Sequence, residues 1–210
     1  MYCTRIKQSV CVFICAFAAF SCSHKKEKLA PLPFTDDFNR ADLGDNWTGD
    51  PGWSIKDGQV FSAGTQNHPL WLKAGLPDDV VIELDARTES PSGDIKFEIF
   101  ADGRNHASGY ILIFGGWKNT ISVIARKDEH GADRMELKRR DQVKMGQTYH
   151  MRVVSRGKVI KWYVDGKLLL DYYDSDPLRG PGNDRFAFND WQSPLYFDNL
   201  KIRAAQKTDN

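Results

Sequence analysis

The densest group of side chains able to do chemistry lies in "FEIFADGRNHASGY", residues 97–110, which supplies Glu98, Asp102, Arg104, Asn105, His106 and Tyr110. "FGGWKN" and "VIARKDEHG" come next, adding Trp117, Arg126, Asp128, Glu129 and His130. Saccharide recognition uses this mixture. Aromatic rings cover the apolar side of a pyranose, while carboxylates, amides and guanidinium groups take up its hydroxyls. The same group offers the parts of proton-transfer catalysis: His106 or His130 as base, Asp102 or Asp128 to orient it, and Arg104 or Arg126 to stabilise a developing oxyanion. Read residue by residue, "ADGRN" and "DEHG" are equally polar turns with solvated histidines.

A second group closes the chain. In "RFAFNDWQSPLYFDNLKI", residues 185–202, two alternating apolar runs flank Asn189-Asp190-Trp191-Gln192-Ser193-Pro194. A tryptophan in a polar turn has two uses: folded back as a plug on the sandwich edge, or projecting beside Asn189 and Asp190 as a sugar-stacking platform. The crowding of polar residues in one turn favours the platform. Asp36 and Asp37 in "TDDFN", with Asp198 in "YFDN", offer the oxygen ligands that calcium prefers, although such residues at strand ends also cap turns. No other cofactor is expected. Serine-hydrolase elbows, zincin helices and phosphate-binding glycine loops have no counterpart here.

The elements that carry these residues read as strands. In "DDVVIELDAR", Val80, Ile82, Leu84 and Ala86 alternate with Val81, Glu83, Asp85 and Arg87, the period of a strand with one dry face. "DIKFEIFAD" sets Ile95, Phe97, Ile99 and Ala101 against Lys96, Glu98, Phe100 and Asp102. "GYILIFGG" is apolar on both faces, as a central strand should be. Asp57-Gly58 and Asp165-Gly166 suit tight hairpin turns. Trp47, Trp53, Trp71 and Trp162 fall inside strand patterns and are expected to pack. Short antiparallel strands with Gly-rich turns imply an all-β, two-sheet sandwich of jelly-roll type.

The N-terminus lies outside that pattern. Arg5 and Lys7 precede "VCVFICAFAAF", too short for a permanent anchor and read as a secretory signal. It ends at Ala19-Phe20-Ser21-Cys22, which resembles a bacterial lipobox. The expected organisation is a lipoprotein signal over 1–21, a polar, Pro-punctuated tether over 22–33, a β-sandwich over 34–203 and a tail over 204–210. All 4 cysteines lie at or before Cys22, so the domain has no disulfide framework or thiolate site. The segment 1–21 holds two bases and no acid, against 29 Lys and Arg and 28 Asp and Glu in the whole chain. The chain from Cys22 onward is close to neutral, and nothing attracts nucleic acid over long range.

The stretches "FTDDFNRADLGDNWT", "GWSIKDGQVFSAG", "IKWYVDGKLLLDY" and "LYFDNLKI" together resemble the concanavalin A-like lectin/glucanase sandwiches, and among them bacterial domains related to the 3-keto-disaccharide hydrolases. The resemblance implies a jelly roll whose concave sheet faces carbohydrate. It also frames "IELDAR". Family 16 glycoside hydrolases of this fold carry Glu-x-Asp-x-Glu on one strand; Glu83 and Asp85 match the first two positions, but Arg87 replaces the third and cannot donate a proton near neutral pH. An exposed strand face with carboxylate–arginine pairing is the expected reading.

These readings converge on a lipoprotein of the bacterial cell envelope, membrane-held through its lipid, whose domain binds carbohydrate. The binding set is Glu98, Asp102, Arg104, His106, Tyr110, Trp117, Arg126, Asn189, Asp190 and Trp191. A glycoside-acting hydrolase or lyase and a purely structural envelope protein are the alternatives. Mass spectrometry of the mature N-terminal peptide should find a lipidated Cys22, and Cys22→Ser should release a folded domain from the membrane.

Overall fold

The computed structural model describes residues 28–209, so the expected signal and Cys22 lie outside the described residues. In chain order the strands are β1 (Phe34–Asp36), β2 (Trp47–Thr48), β3 (Trp53–Lys56), β4 (Gln59–Ser62), β5 (Leu70–Leu72), β6 (Val80–Thr88), β7 (Ile95–Ala101) and β8 (Tyr110–Gly115). They continue as β9 (Ile121–Arg126), β10 (Met135–Lys138), β11 (Tyr149–Arg156), β12 (Val159–Val164), β13 (Lys167–Tyr173), β14 (Arg185–Asn189) and β15 (Leu195–Ala204). An eight-stranded sheet runs β13-β12-β11-β6-β15-β4-β3 with β1 added on β15, and a seven-stranded sheet runs β10-β9-β8-β7-β14-β5-β2. All these pairings are antiparallel, as the sequence led us to expect.

The core lies between the sheets. Val80, Ile82, Leu84 and Ala86 of β6 enter it from one side; Phe97 and Ile99 of β7, with Phe186 and Phe188 of β14, enter it from the other. Phe188 stacks on Phe197 with ring centroids 4.3 Å apart, and Phe97 meets Trp162 edge to face at 5.6 Å. Trp47, Trp53, Trp71 and Trp162 are all buried. Both Asp-Gly turns hold positive φ at each residue, the geometry that matches strand twist. Asp36 holds the first loop: it accepts hydrogen bonds from Arg40, from the Trp47 indole and from the Phe38 amide.

Strict alternation in β7 fails at its end. Phe100 takes φ +52° and joins the core beside Ile99, and these two β7 residues between Glu98 and Ala101 stand opposite one on β14, Phe186. This bulge turns Ala101 to the outer face, where it packs with Trp71 and Ala187. It presses on Gly109: a Cβ there would lie 2.4 Å from the Ile99 carbonyl oxygen. Beyond the expected domain limits, Ala30 and Leu32 pack against the core, and Asp209 turns back onto Arg152 and Arg203. Gly109→Ala should cost about 1–3 kcal/mol through overpacking against a backbone that cannot move aside, read as a lowered midpoint in urea unfolding.

Candidate functional site

The outer face of the seven-stranded sheet is built in rows across the strands. One row runs Trp71, Ala187, Glu98, Ile111, Ala125; the next runs Asn189, Lys96, Ile113, Val123. Nothing in these rows is more than 6 % exposed. Two charges, Glu98 and Lys96, therefore sit on a dry, apolar floor and must be satisfied by what lies above them.

Glu98 is satisfied by three donors. His106 Nδ1 lies 2.6 Å from Oε1, the Asn189 amide nitrogen donates to the same oxygen at 2.6 Å, and the Ala107 amide donates to Oε2 at 3.2 Å. The Asp190 amide donates to Asn189 Oδ1, which fixes the flip of the Asn189 side chain. An ionised carboxylate can only accept, so the 2.6 Å contact places the proton on His106 Nδ1; the Asn189 amide nitrogen also lies 2.9 Å from that Nδ1, the two sharing Glu98 Oε1 as their acceptor. The remaining ring nitrogen, Nε2, has no partner among the described residues, on a side chain 20 % exposed, and in the neutral ring it is a lone-pair acceptor.

Lys96 forms the second node. Its ammonium donates to Asn67 Oδ1 at 2.9 Å and to Glu129 Oε2 at 3.0 Å, tying the β4–β5 loop to the β9–β10 loop. Asp94 lies two residues before it and Asp190 one residue beyond its cross-strand neighbour Asn189. Asp190 spends its carboxylate on the Ser62 hydroxyl and the Ser193 amide, and its carbonyl accepts from the Asn67 amide. Burial nevertheless holds the Asp190 pKa above the ordinary carboxylate range.

The next residue, Trp191, projects from this anchored turn with 44 % of its surface exposed, which excludes the plug on the sandwich edge. Its carbonyl accepts from the Gln66 amide, so the turn beneath the ring is fixed.

Trp117 is presented differently. It belongs to a helix-like turn, Gly116–Asn119, that is left-handed, with φ/ψ of 49°/56° at Trp117 and 60°/45° at Lys118. Such backbone is costly for residues with a Cβ. Buried Asn119 holds it, bonding both the amide and the carbonyl of Val143. The indole packs against the Ile111, Ile113 and Val123 floor, Arg134 lies 4.8 Å from its ring centroid, and His130 meets it edge-on at 5.5 Å.

Several expected members stand elsewhere. Asp102 does not orient His106: it caps its own turn, accepting from the Arg104 and Asn105 amides and from Ser108, and Glu98 takes the orienting role instead. Those bonds bring the Asp102 pKa below its usual value despite burial. Asp128 likewise caps the His130 amide, and Arg104 and His130 are exposed. Tyr110 and Arg126 leave the site altogether. They turn to the core side, where the Tyr110 hydroxyl and Arg126 Nε both donate to Asp174.

On the opposite sheet, Glu83 pairs with Arg152, Asp85 with His150 and Asn199, and Arg87 lies 3.6 Å over the Tyr196 ring. That is a cross-strand surface ladder. The calcium reading meets an obstacle at Asp36, whose oxygens already hold Arg40 and Trp47; Asp37 caps Asn39, and Asp198 accepts from Gln59 and Asn199. Among the described residues no group of three or more His, Cys, Asp or Glu side chains is arranged to hold a metal. Lys96, Asn67 and Asp94 were not among the expected binding residues. Lys96 alone left a trace, as a charge on the polar side of the β7 pattern.

A two-sheet jelly roll with polar groups gathered on one outer sheet face defines the concanavalin A-like class, found in carbohydrate-binding modules and glucanases. The chain belongs to the family described as the 3-keto-alpha-glucoside-1,2-lyase-like domain, which matches residues 33–203. A curated relative, an extracellular exo-alpha-L-arabinofuranosidase of Streptomyces chartreusis, is 25 % identical over 143 residues; the match takes in 68 % of this chain but only 17 % of that protein's length. Among solved structures, the carbohydrate binding module CBM66 from Bacillus subtilis is similar with a TM-score of 0.63 at 19 % identity, over 76 % of this chain and 96 % of that one. The Bacillus licheniformis beta-glucanase gives a TM-score of 0.60 at 14 % identity, over 82 % and 98 %. At such identities the likeness is one of fold.

Lys96→Ala should cost about 3 kcal/mol, because it strands Glu129 and Asn67 at a largely dry site, whereas Trp191→Ala should change stability by about 0.5 kcal/mol or less as an exposed turn substitution. Chemical unfolding of the two variants checks both.

Proposed function

We propose that this chain is a saccharide-binding domain, and that sugar is taken up over the outer face of the seven-stranded sheet, between His106, Asn67 and Glu129, with Trp191 on the adjoining turn. One observation carries the reading. Buried Glu98 holds the His106 ring through Nδ1 and leaves Nε2 open to a ligand, a preorganised polar group rather than a freely rotating one. Asn67 and Glu129 are similarly immobilised by Lys96. Trp191 supplies the free aromatic surface that Trp117, covered by Arg134, does not. The carbohydrate-binding neighbour and the family description support the same class of ligand. A lipid anchor at Cys22 and a place on the cell envelope belong to this proposal and rest on the N-terminal sequence.

A glycan array followed by calorimetry on the best ligand tests it. Trp191→Ala should weaken binding by about 1–3 kcal/mol as a central aromatic contact, and His106→Ala should weaken it as well. A parent protein that binds no glycan overturns the reading.

The same His106 favours a second, enzymatic reading. An imidazole backed by a buried carboxylate is, in its neutral form, the arrangement of a general base, and the family is described as lyase-like. On a 3-keto-glucoside, Nε2 would take the proton from C2, made acidic by the neighbouring ketone. The electron pair of that C–H bond forms the C1=C2 double bond as the C1–O bond breaks, and the leaving oxygen takes up a proton from water. Release of p-nitrophenol from its 3-keto-glucoside, lost in His106→Ala, would establish this reading; no release by the folded parent would remove it.

A further inference from the structure

Asp94 differs from its acidic neighbours. Glu98, Glu129 and Asp190 each accept hydrogen bonds from named donors. The Asp94 carboxylate accepts none among the described residues, although its residue is largely covered. Its place is set by the backbone. Gly93 and Asp94 both hold positive φ, 69° and 71°, the Asp94 amide donates to the Gly115 carbonyl at 2.9 Å, and a Cβ on Gly93 would lie 2.4 Å from that same oxygen. A Cβ on Gly116 would lie 3.4 Å from Asp94 Oδ1. The carboxylate is therefore held against the root of the left-handed Trp117 turn, two residues from Lys96. A carboxylate fixed in a covered position without donors is costly to the free protein. Burial raises its pKa; Lys96 draws it back, and Glu129 and Asp190 raise it further.

We propose that Asp94 is a ligand-binding residue, its two oxygens accepting hydrogen bonds from adjacent hydroxyls of an uncharged pyranose seated beside Lys96, Asn67 and Glu129. This rests on the saccharide reading above and gives that site its selectivity. A carboxylate needs donors, and vicinal hydroxyls supply two at the spacing of its oxygens. The Lys96 charge is already balanced by Glu129 and its side chain is only 2 % exposed, so it does little to draw in an acidic sugar. A uronate or sulfated sugar would instead face Asp94 and Glu129, and like charges at such a site reject the wrong ligand.

Asp94→Asn tests it, because asparagine tolerates the left-handed backbone and changes only charge and acceptor capacity. The array carries neutral and uronate-containing oligosaccharides, and thermal unfolding is run on the same samples. The parent should bind neutral glycans and not uronates. Asp94→Asn should lose affinity at least about tenfold while its unfolding temperature stays level or rises by about 2 °C. Unchanged affinity in the variant overturns the inference and leaves the saccharide reading standing, as does a parent that prefers uronates. A fall in affinity accompanied by a fall in unfolding temperature of several degrees assigns Asp94 a structural role and overturns it too. A parent that binds no glycan removes the saccharide reading, and this inference with it.

Discussion

A carboxylate with no exposed surface, standing on a sheet face of alanine, isoleucine and tryptophan, has to be given donors, and Glu98 determines much of what surrounds it. The Asn189 amide comes from the neighbouring strand, the His106 ring from the β7–β8 loop and the Ala107 amide from the same loop. Meeting this requirement folds that loop down onto the sheet and turns Nδ1 of the histidine toward the carboxylate. The chemistry available at His106 is thus a consequence of satisfying a buried charge.

Lys96 imposes the same constraint with opposite sign. Its ammonium is one residue pair along the sheet from Glu98, and it draws in Asn67 and Glu129 from loops 62 residues apart in the chain. The two charges do not neutralise one another; each is served by its own partners. Two loops distant in sequence are thereby joined over the face. Breaking either node leaves a partner desolvated and unpaired, which is why such nodes are more sensitive to truncation than exposed ion pairs of equal length.

The opposite sheet shows what the same residue types do when water is available. Glu83, Asp85, Arg87, His150 and Arg152 also pair across strands, but on an exposed or half-exposed surface where screening leaves each contact worth little. Strain is distributed just as unevenly. Left-handed backbone at Trp117, Lys118 and Asn119 costs about 1–2 kcal/mol per residue in an unsupported chain, and it persists because buried Asn119 bonds the Val143 backbone on both sides. Strained backbone held in this way is concentrated beside the candidate site.

Alternation in "DDVVIELDAR", the two Asp-Gly turns and the absence of helical periodicity were enough to determine an antiparallel sandwich, because side-chain period and turn conformation are local properties of the chain. The polar content of 98–130 and the exposed Trp191 were legible for the same reason. Local pattern could not decide which carboxylates would be dry. Glu83 and Glu98 both alternate with apolar neighbours, yet one faces solvent on the eight-stranded sheet and the other lies under loops on the seven-stranded sheet. Asp102 lies nearer His106 in sequence than Glu98 does, but the pleat and the turn give the histidine to Glu98 and leave Asp102 to cap backbone amides. The bulge at Phe100, the partnership of Glu98 with Asn189 across 91 residues and the meeting of Asn67 with Lys96 across 29 all depend on strand register and loop closure. Those are properties of the packed sheets: a period of two assigns a side chain to a face, and only tertiary structure decides what covers that face.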